Sequence, residues 1–446
     1  MVLQAKAKTP PLPILSRLEG FSIMNRNAWI GKAIGAALVS LMIFSCAIKL
    51  LWPISIKATE RADSCQQQVE ALLKAIQGKR VALLTNPTGV DGQLNLIADI
   101  INKAPGIKLV AFFAPEHGLR GDIQAGGRVT NYIDPYTSVP VYSVYRTQRA
   151  PSKEQLENVD VLIFDIQCVG VRFYTYVWTM TYAMEAAAQN GVKFIVFDRP
   201  NPIGAHKVEG APNRKDLGLV GRLWPGHPFG VATRYGMTPG ELASLVNGEW
   251  MNPKVDLQVI PIPGYTREQY FEDTGRPWVQ PSPNMPTLDT ATVYPGMCIF
   301  EGSNLSEGRG TTKPFEQIGA PFINGIELAK KLNALGLPGV RFRPAFFIPS
   351  FADWKGEYCG GIQVHVMNRE TFDPIRTALY VLKTVYEMYP DKVKITPYAS
   401  TLMGVENLHE RIKTESVDSI IAGWQDDLQA FKKLRQKYLI YPCGKK

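Results

Sequence analysis

Four apolar runs dominate the first half of the chain: KRVALLTN (79–86), IKLVAFFAPE (107–116), DVLIFDIQ (160–167) and KFIVFDRP (193–200). They do not alternate apolar with polar, so both faces of each strand must be covered, as in a parallel sheet with helices on either side. The segments between them have helical character. LNLIADIINKAPG places Leu94, Ile97 and Ile101 at helical spacing, and YVWTMTYAMEAAAQNG reads as a helix closed by Gly191. VPVYSVY (139–145) is a further strand, and in TPGELASLVNGEW Thr238 and Glu241 form a capping box with Pro239 at the first helical position. The expected fold class is α/β, a parallel sheet covered by helices on both faces.

The Pro-, Gly- and Asn-rich stretch 261–310 sets a domain boundary near residue 290. Residues 61–290 are then the parallel-sheet domain. Residues 291–446 form a smaller α+β domain, with helices near 326–335, 374–388 and 416–436 and strands in VRFRPAFFIPS and GIQVHVM. Residues 1–60 read differently: Arg26 and Lys32 precede the apolar run AIGAALVSLMIFSCAI (33–48), the pattern of an export signal or membrane anchor behind an N-terminal extension, with Met24 as an alternative start. The expected location is therefore the periplasm or cell envelope. Of the net charge of +9, +6 lies in residues 1–57, so the folded remainder lacks the basic stripe that nucleic-acid binding requires. Five cysteines follow Cys46 without a CxxC pair; an oxidising envelope would allow one or two disulfides, although a buried free thiol is the plainer reading of Cys168.

In an open parallel sheet, ligands bind beyond the carboxyl ends of the strands. Here those ends carry Asn86, Glu116, Asp165 with Gln167, and Asp198 with Arg199 and Asn201. For Asp165 and Asp198, loop capping or pairing with Arg172 or Arg199 is at least as good a reading as catalysis. Phosphate-binding glycine loops, HExxH and GxSxG are absent, and the five histidines are scattered, so no cofactor and no metal is expected. Carboxylates, arginines, amides and tyrosines remain, the residue types of carbohydrate chemistry. A second polar constellation, 281–321, supplies Asn284, Glu301, Asn304, Glu307, Arg309 and Thr311, and its SEGRGT segment reads as a cleft loop.

The ordered motifs VALLTNPTGV, FFAPEHGLRGD, VLIFDIQ, VRFYTY, FDRPNPIG, GHPFGVATRYGMTPGELA, SPNMPTLDTATVYPG, FEGSNLSEGRGT and KPFEQIGAP closely resemble the NamZ-type exo-β-N-acetylmuramidases, bacterial peptidoglycan hexosaminidases. The resemblance runs from about residue 79 through the C-terminal region, and it implies an α/β fold in which a Rossmann-like parallel sheet domain, 61–290, is followed by a smaller α+β C-terminal domain that completes the cleft. It implies an enzyme that removes N-acetylmuramic acid from the non-reducing end of glycan fragments, with Glu116 of the PEHG motif in the catalytic role. It also implies a pocket drawn from His117, Arg120, Asp122, Arg172, Tyr174, Asn201, Asn284, Glu301, Glu307 and Arg309.

On that basis Glu116 is the expected general acid. Glu307, Glu301, Asp122 or the substrate's own acetamido group are alternatives for its partner. Tyr174 would orient Glu116 or stabilise the transition state, and Arg172 or Arg120 would hold the lactyl carboxylate, since a guanidinium fork suits a carboxylate. Two other classes stay open: a non-catalytic peptidoglycan-binding envelope protein and a metal-dependent amidase or deacetylase.

Overall fold

The computed structural model describes residues 64–444, which fall in one compact unit; the extension and export segment expected over 1–60 lie outside the described residues. A seven-stranded sheet runs in the order β3-β4-β2-β1-β5-β6-β7, from β1 (Arg80–Thr85), β2 (Lys108–Ala114), β3 (Tyr132–Ile133), β4 (Pro140–Ser143), β5 (Val161–Asp165), β6 (Lys193–Phe197) and β7 (Leu257–Ile260). Every pairing is parallel except β3 with β4.

Strand alternation explains why these runs are apolar throughout. Leu83, Phe112, Ile163 and Ile195 face one side and pack with Leu72, Ile76, Ile97 and Ile101. Ala82, Leu84, Phe113, Leu162, Phe164 and Val196 face the other, against the helix Tyr176–Gln189. The second core continues past residue 290 through Met297, Phe300, Leu379 and Leu382. A three-stranded antiparallel sheet of β8 (Gln317–Ala320), β10 (Cys359–Val366) and β9 (Val340–Phe347), in that order, makes up the smaller part.

The α/β class is as the sequence indicates, and the Thr238 capping box with Pro239 is present. Other details differ. The helix Leu288–Met297 lies in the Pro-rich stretch and contains Pro295; Gly296 explains its placement, since a Cβ there would meet Pro374 O at 1.8 Å. The segment expected as one helix near 416–436 is two, Val417–Ala422 and Gln425–Arg435. All five cysteines of the described residues are free thiols, four of them buried.

The chain order turns at β1: β2 and β4 extend the sheet to one side, β5, β6 and β7 to the other. The loops after β2 and β5 therefore part above the end of β1, where a crevice opens.

Candidate active site

Pro115 ends β2, because it has no N–H to donate to a ladder. The next residue is Glu116, and the chain then reverses through His117 at φ 72° and Gly118 at φ 78°, with Gly118 N–H donating to Pro115 O at 3.0 Å. A histidine in the left-handed region is strained. Its ring holds the turn: Nδ1 lies 2.7 Å from the Ile123 carbonyl, which can only accept, so Nδ1 carries the proton. Burial pushes the imidazole below its ordinary value, so it is neutral and Nε2 is an acceptor.

The Glu116 carboxylate is clamped by three donors. Tyr145 Oη donates to Oε1 at 2.7 Å, Gly126 N–H to the same oxygen at 3.3 Å, and Thr175 Oγ1 to Oε2 at 3.0 Å. Tyr145 comes from the neighbouring strand, where Ala114 pairs with Ser143; two residues further along both chains, Glu116 meets Tyr145. Burial and the adjacent carboxylate raise the Tyr145 phenol far above its ordinary value, so it remains a donor. Thr175 stands at the N-terminus of the helix Tyr176–Gln189 that follows β5.

Glu116 opens into a cleft lined also by His117, Ala125, Phe173, Tyr174, Thr175, Tyr176, Ser282, Asn284, Met285, Tyr294, Arg309 and Phe315. The floor is aromatic: Tyr174 packs edge-on against Tyr176 and Tyr294, and Tyr294 against Phe315. Arg309 brings in the opposite charge. Its Nη2 binds Glu301 Oε1 at 2.6 Å, its Nε binds Glu307 Oε1 at 2.8 Å, and its guanidinium lies over Phe315 at 5.1 Å. Burial pushes the Glu307 carboxyl up to about 7 despite Arg309. The glycines of SEGRGT serve backbone packing: a Cβ on Gly308 would strike Lys313 O, and one on Gly310 would strike the Phe351 backbone.

Of the residues expected in the pocket, Glu116, His117, Tyr174, Asn284 and Arg309 line the cleft, and Glu301 and Glu307 stand behind Arg309. Others are elsewhere. Arg172 is wholly buried, with Nη1 donating to Val220 O at 2.6 Å and Nη2 to Leu402 O at 2.7 Å; it ties the 3-10 turn Gly218–Val220 to the helix Pro397–Met403 and meets no carboxylate among the described residues, which corrects its proposed part in binding the sugar. Arg120 pairs with Asp134 at 2.6 Å and borders a separate hollow with Asn86, so it too is withdrawn from the cleft. Asn86 shapes its own turn by accepting from Thr88 N–H and Oγ1, and Asn201 bridges Ile203 N–H and Met237 O. Asp122 is exposed and lies outside the cleft lining. Asp165 pairs with Arg199 at 2.5 Å, and Asp198 caps the helix that starts at Pro239. Sequence reasoning missed Tyr145, Thr175, Ser282 and Tyr294; the β2–β4 register alone would have pointed to Tyr145.

Comparison with known proteins places both halves of the chain in one family. Residues 81–289 match the family model of the N-terminal part of exo-beta-N-acetylmuramidase NamZ, and residues 292–441 match that of its C-terminal part. The peptidoglycan beta-N-acetylmuramidase NamZ of Bacillus subtilis (strain 168) is 46% identical over 418 residues, covering 92% of this chain and 100% of the relative. Two crystal structures of DUF1343 family proteins from Bacteroides fragilis NCTC 9343 share the fold. One has a TM-score of 0.76 at 36% identity, covering 83% of this chain and 96% of that one; the other has 0.67 at 30%, covering 84% and 98%. With both halves matched in order and the PEHG glutamate at the mouth of the cleft, the chain belongs to the exo-β-N-acetylmuramidase NamZ family.

Proposed function

We propose that the chain is an exo-acting glycoside hydrolase that releases N-acetylmuramic acid from the non-reducing end of peptidoglycan fragments, with Glu116 as its general acid. The observation that carries this reading is the clamp on Glu116. Oε1 already accepts two hydrogen bonds, one from the Tyr145 phenol and one from the Gly126 amide, which can only donate. Oε2 accepts just one among the described residues, from the Thr175 hydroxyl, which can accept in return. The transferable proton therefore belongs on Oε2, and the glycosidic oxygen takes it as the bond breaks.

Arg309 gives the other end of the substrate a place. Glu301 and Glu307 occupy its Nη2 and Nε, leaving Nη1 without a hydrogen bond among the described residues, and the guanidinium faces the cleft. A lactyl carboxylate there takes the role that Arg172 and Arg120 cannot fill. Glu116 is the sole carboxylate among the described residues that line the cleft, so the second group in the reaction is water or the sugar's own acetamido oxygen.

The export assignment rests on sequence, through Arg26, Lys32 and the apolar run 33–48. Among the described residues no helix is long and apolar enough to cross a membrane. Incubation with a disaccharide bearing N-acetylmuramic acid at its non-reducing end should release that sugar as the free monosaccharide. Intact disaccharide, or loss of an acetyl or peptide group with the glycosidic bond preserved, would overturn the reading.

A further inference from the structure

The cleft contains two polar atoms that the protein leaves unsatisfied. Asn284 Nδ2 and Tyr174 Oη are buried without a hydrogen-bond partner among the described residues, and their residues are only 6% and 9% exposed. An unpaired buried donor is unfavourable, and native structures keep few of them outside functional sites. Ser282 stands beside the Tyr174 hydroxyl but outside hydrogen-bonding geometry.

Both atoms are fixed in place. Tyr176 Oη donates to Pro281 O at 2.6 Å, Asn284 N–H donates to Ser282 Oγ at 3.2 Å, and Met285 N–H donates to Ser282 O at 3.0 Å. The segment 281–286 is thereby locked with the Asn284 side chain on the cleft wall. The Tyr174 ring is held at 87° against both Tyr176 and Tyr294.

Their chemistry specifies a ligand. Nδ2 donates only, so it requires an acceptor; a phenol hydroxyl can donate or accept. Arg309 lines the same cleft and is the place proposed above for the anionic part of a ligand. Met285 and Phe173 line the same wall and offer apolar contact. A neutral secondary amide ending in a methyl group has each of these features: a carbonyl acceptor, an N–H donor and an apolar cap.

We propose that Asn284 and Tyr174 are the recognition site for the sugar's 2-acetamido group, with Nδ2 donating to the acetamido carbonyl and the Tyr174 hydroxyl accepting from the acetamido N–H. This rests on the reading of the chain as a muramidase. Its consequence is selection for N-acetylated over de-N-acetylated muramic acid, because a site built to pair a substrate group rejects an analogue that leaves its own polar atoms unpaired.

The test measures kcat/KM on a muramyl disaccharide with a 2-acetamido group and on the same disaccharide with a free 2-amino group. The wild-type protein should prefer the first by about 100-fold or more. Asn284→Ala and Tyr174→Phe should each lose about 10- to 100-fold on the acetamido substrate and less than about 3-fold on the amine. Both variants should keep the wild-type melting temperature, since Nδ2 and Oη hydrogen-bond to none of the described residues. Equal losses on the two substrates, or lowered melting temperatures with unchanged preference, would overturn the proposal. If the wild-type protein cleaves neither disaccharide, the hydrolase reading fails by itself. Calorimetry with free N-acetylmuramic acid and free muramic acid then decides the acetamido site: preferential binding of the first that Asn284→Ala removes supports it, and equal binding contradicts it.

Discussion

Asp198 and Glu116 both follow parallel strands of one sheet, and both accept hydrogen bonds from a tyrosine hydroxyl, a threonine hydroxyl and a glycine amide. Asp198 receives Thr238 Oγ1 at 2.6 Å, Tyr441 Oη at 2.5 Å and Gly240 N–H at 2.8 Å, and has no exposed surface. Burial pushes its carboxyl up to about 6. Glu116 receives a similar set but keeps one side open to the cleft. The difference lies in what the donors hold together. Those on Asp198 join the helix Pro239–Leu245 and the C-terminal Tyr441 to β6, whereas those on Glu116 fix the orientation of one carboxylate towards a ligand. A carboxylate at a strand end is therefore a position for chemistry only where its remaining valence meets a cavity.

The comparison yields experiments in decreasing order of effect. Glu116→Gln should lower turnover of a saccharide substrate by about 10²- to 10⁴-fold with the melting temperature retained. Asp198→Ala should do the reverse, destabilising the fold by about 3 kcal/mol through the unpaired Thr238 and Tyr441 hydroxyls, with activity per folded molecule nearly unchanged. Denaturant unfolding beside active-site titration separates the two.

The arginines repeat the contrast. Arg309→Lys should reduce the preference for muramic acid over N-acetylglucosamine by about 10-fold, because a point charge replaces a fork. Arg172→Lys should leave that preference intact and lower stability, since its guanidinium spans the Val220 and Leu402 carbonyls. Tyr145→Phe should lower kcat by about 3- to 10-fold with little change in KM, as expected of a positioning residue.

The smallest effect concerns Glu307. Its folded-state carboxyl lies near 7, above its ordinary 4.5, so its contribution to stability is full below the ordinary value and is lost as pH rises through about 7. The melting temperature should therefore fall by a few degrees between pH 5 and 8, and Glu307→Gln should flatten that decline. An unchanged slope in the variant would assign the decline to other groups.

Much of this molecule was legible in the sequence where the signal is local. The apolar runs, the Thr238 capping box and the PEHG glutamate depend on residues within a few positions of one another. Arg172 was misplaced because its partners lie 48 and 230 residues away, and both are backbone carbonyls that no side-chain pattern reveals. The helix Leu288–Met297 was hidden by Pro295 and Gly296, which read as loop residues until the close approach of Pro374 explains them. Tyr145 lay in between: the β2–β4 register implies it, but only once those strands are known to be neighbours.

The leaving-group dependence of Glu116→Gln tests the central claim most directly. A sugar leaving group must be protonated to depart, whereas nitrophenolate is a stable anion without help. The proposed role predicts a loss of about 10²-fold or more on the disaccharide and a much smaller one on the nitrophenyl glycoside of N-acetylmuramic acid. Equal and severe losses on both would contradict it, and would make Glu116 the nucleophile or the water-activating base instead of the acid.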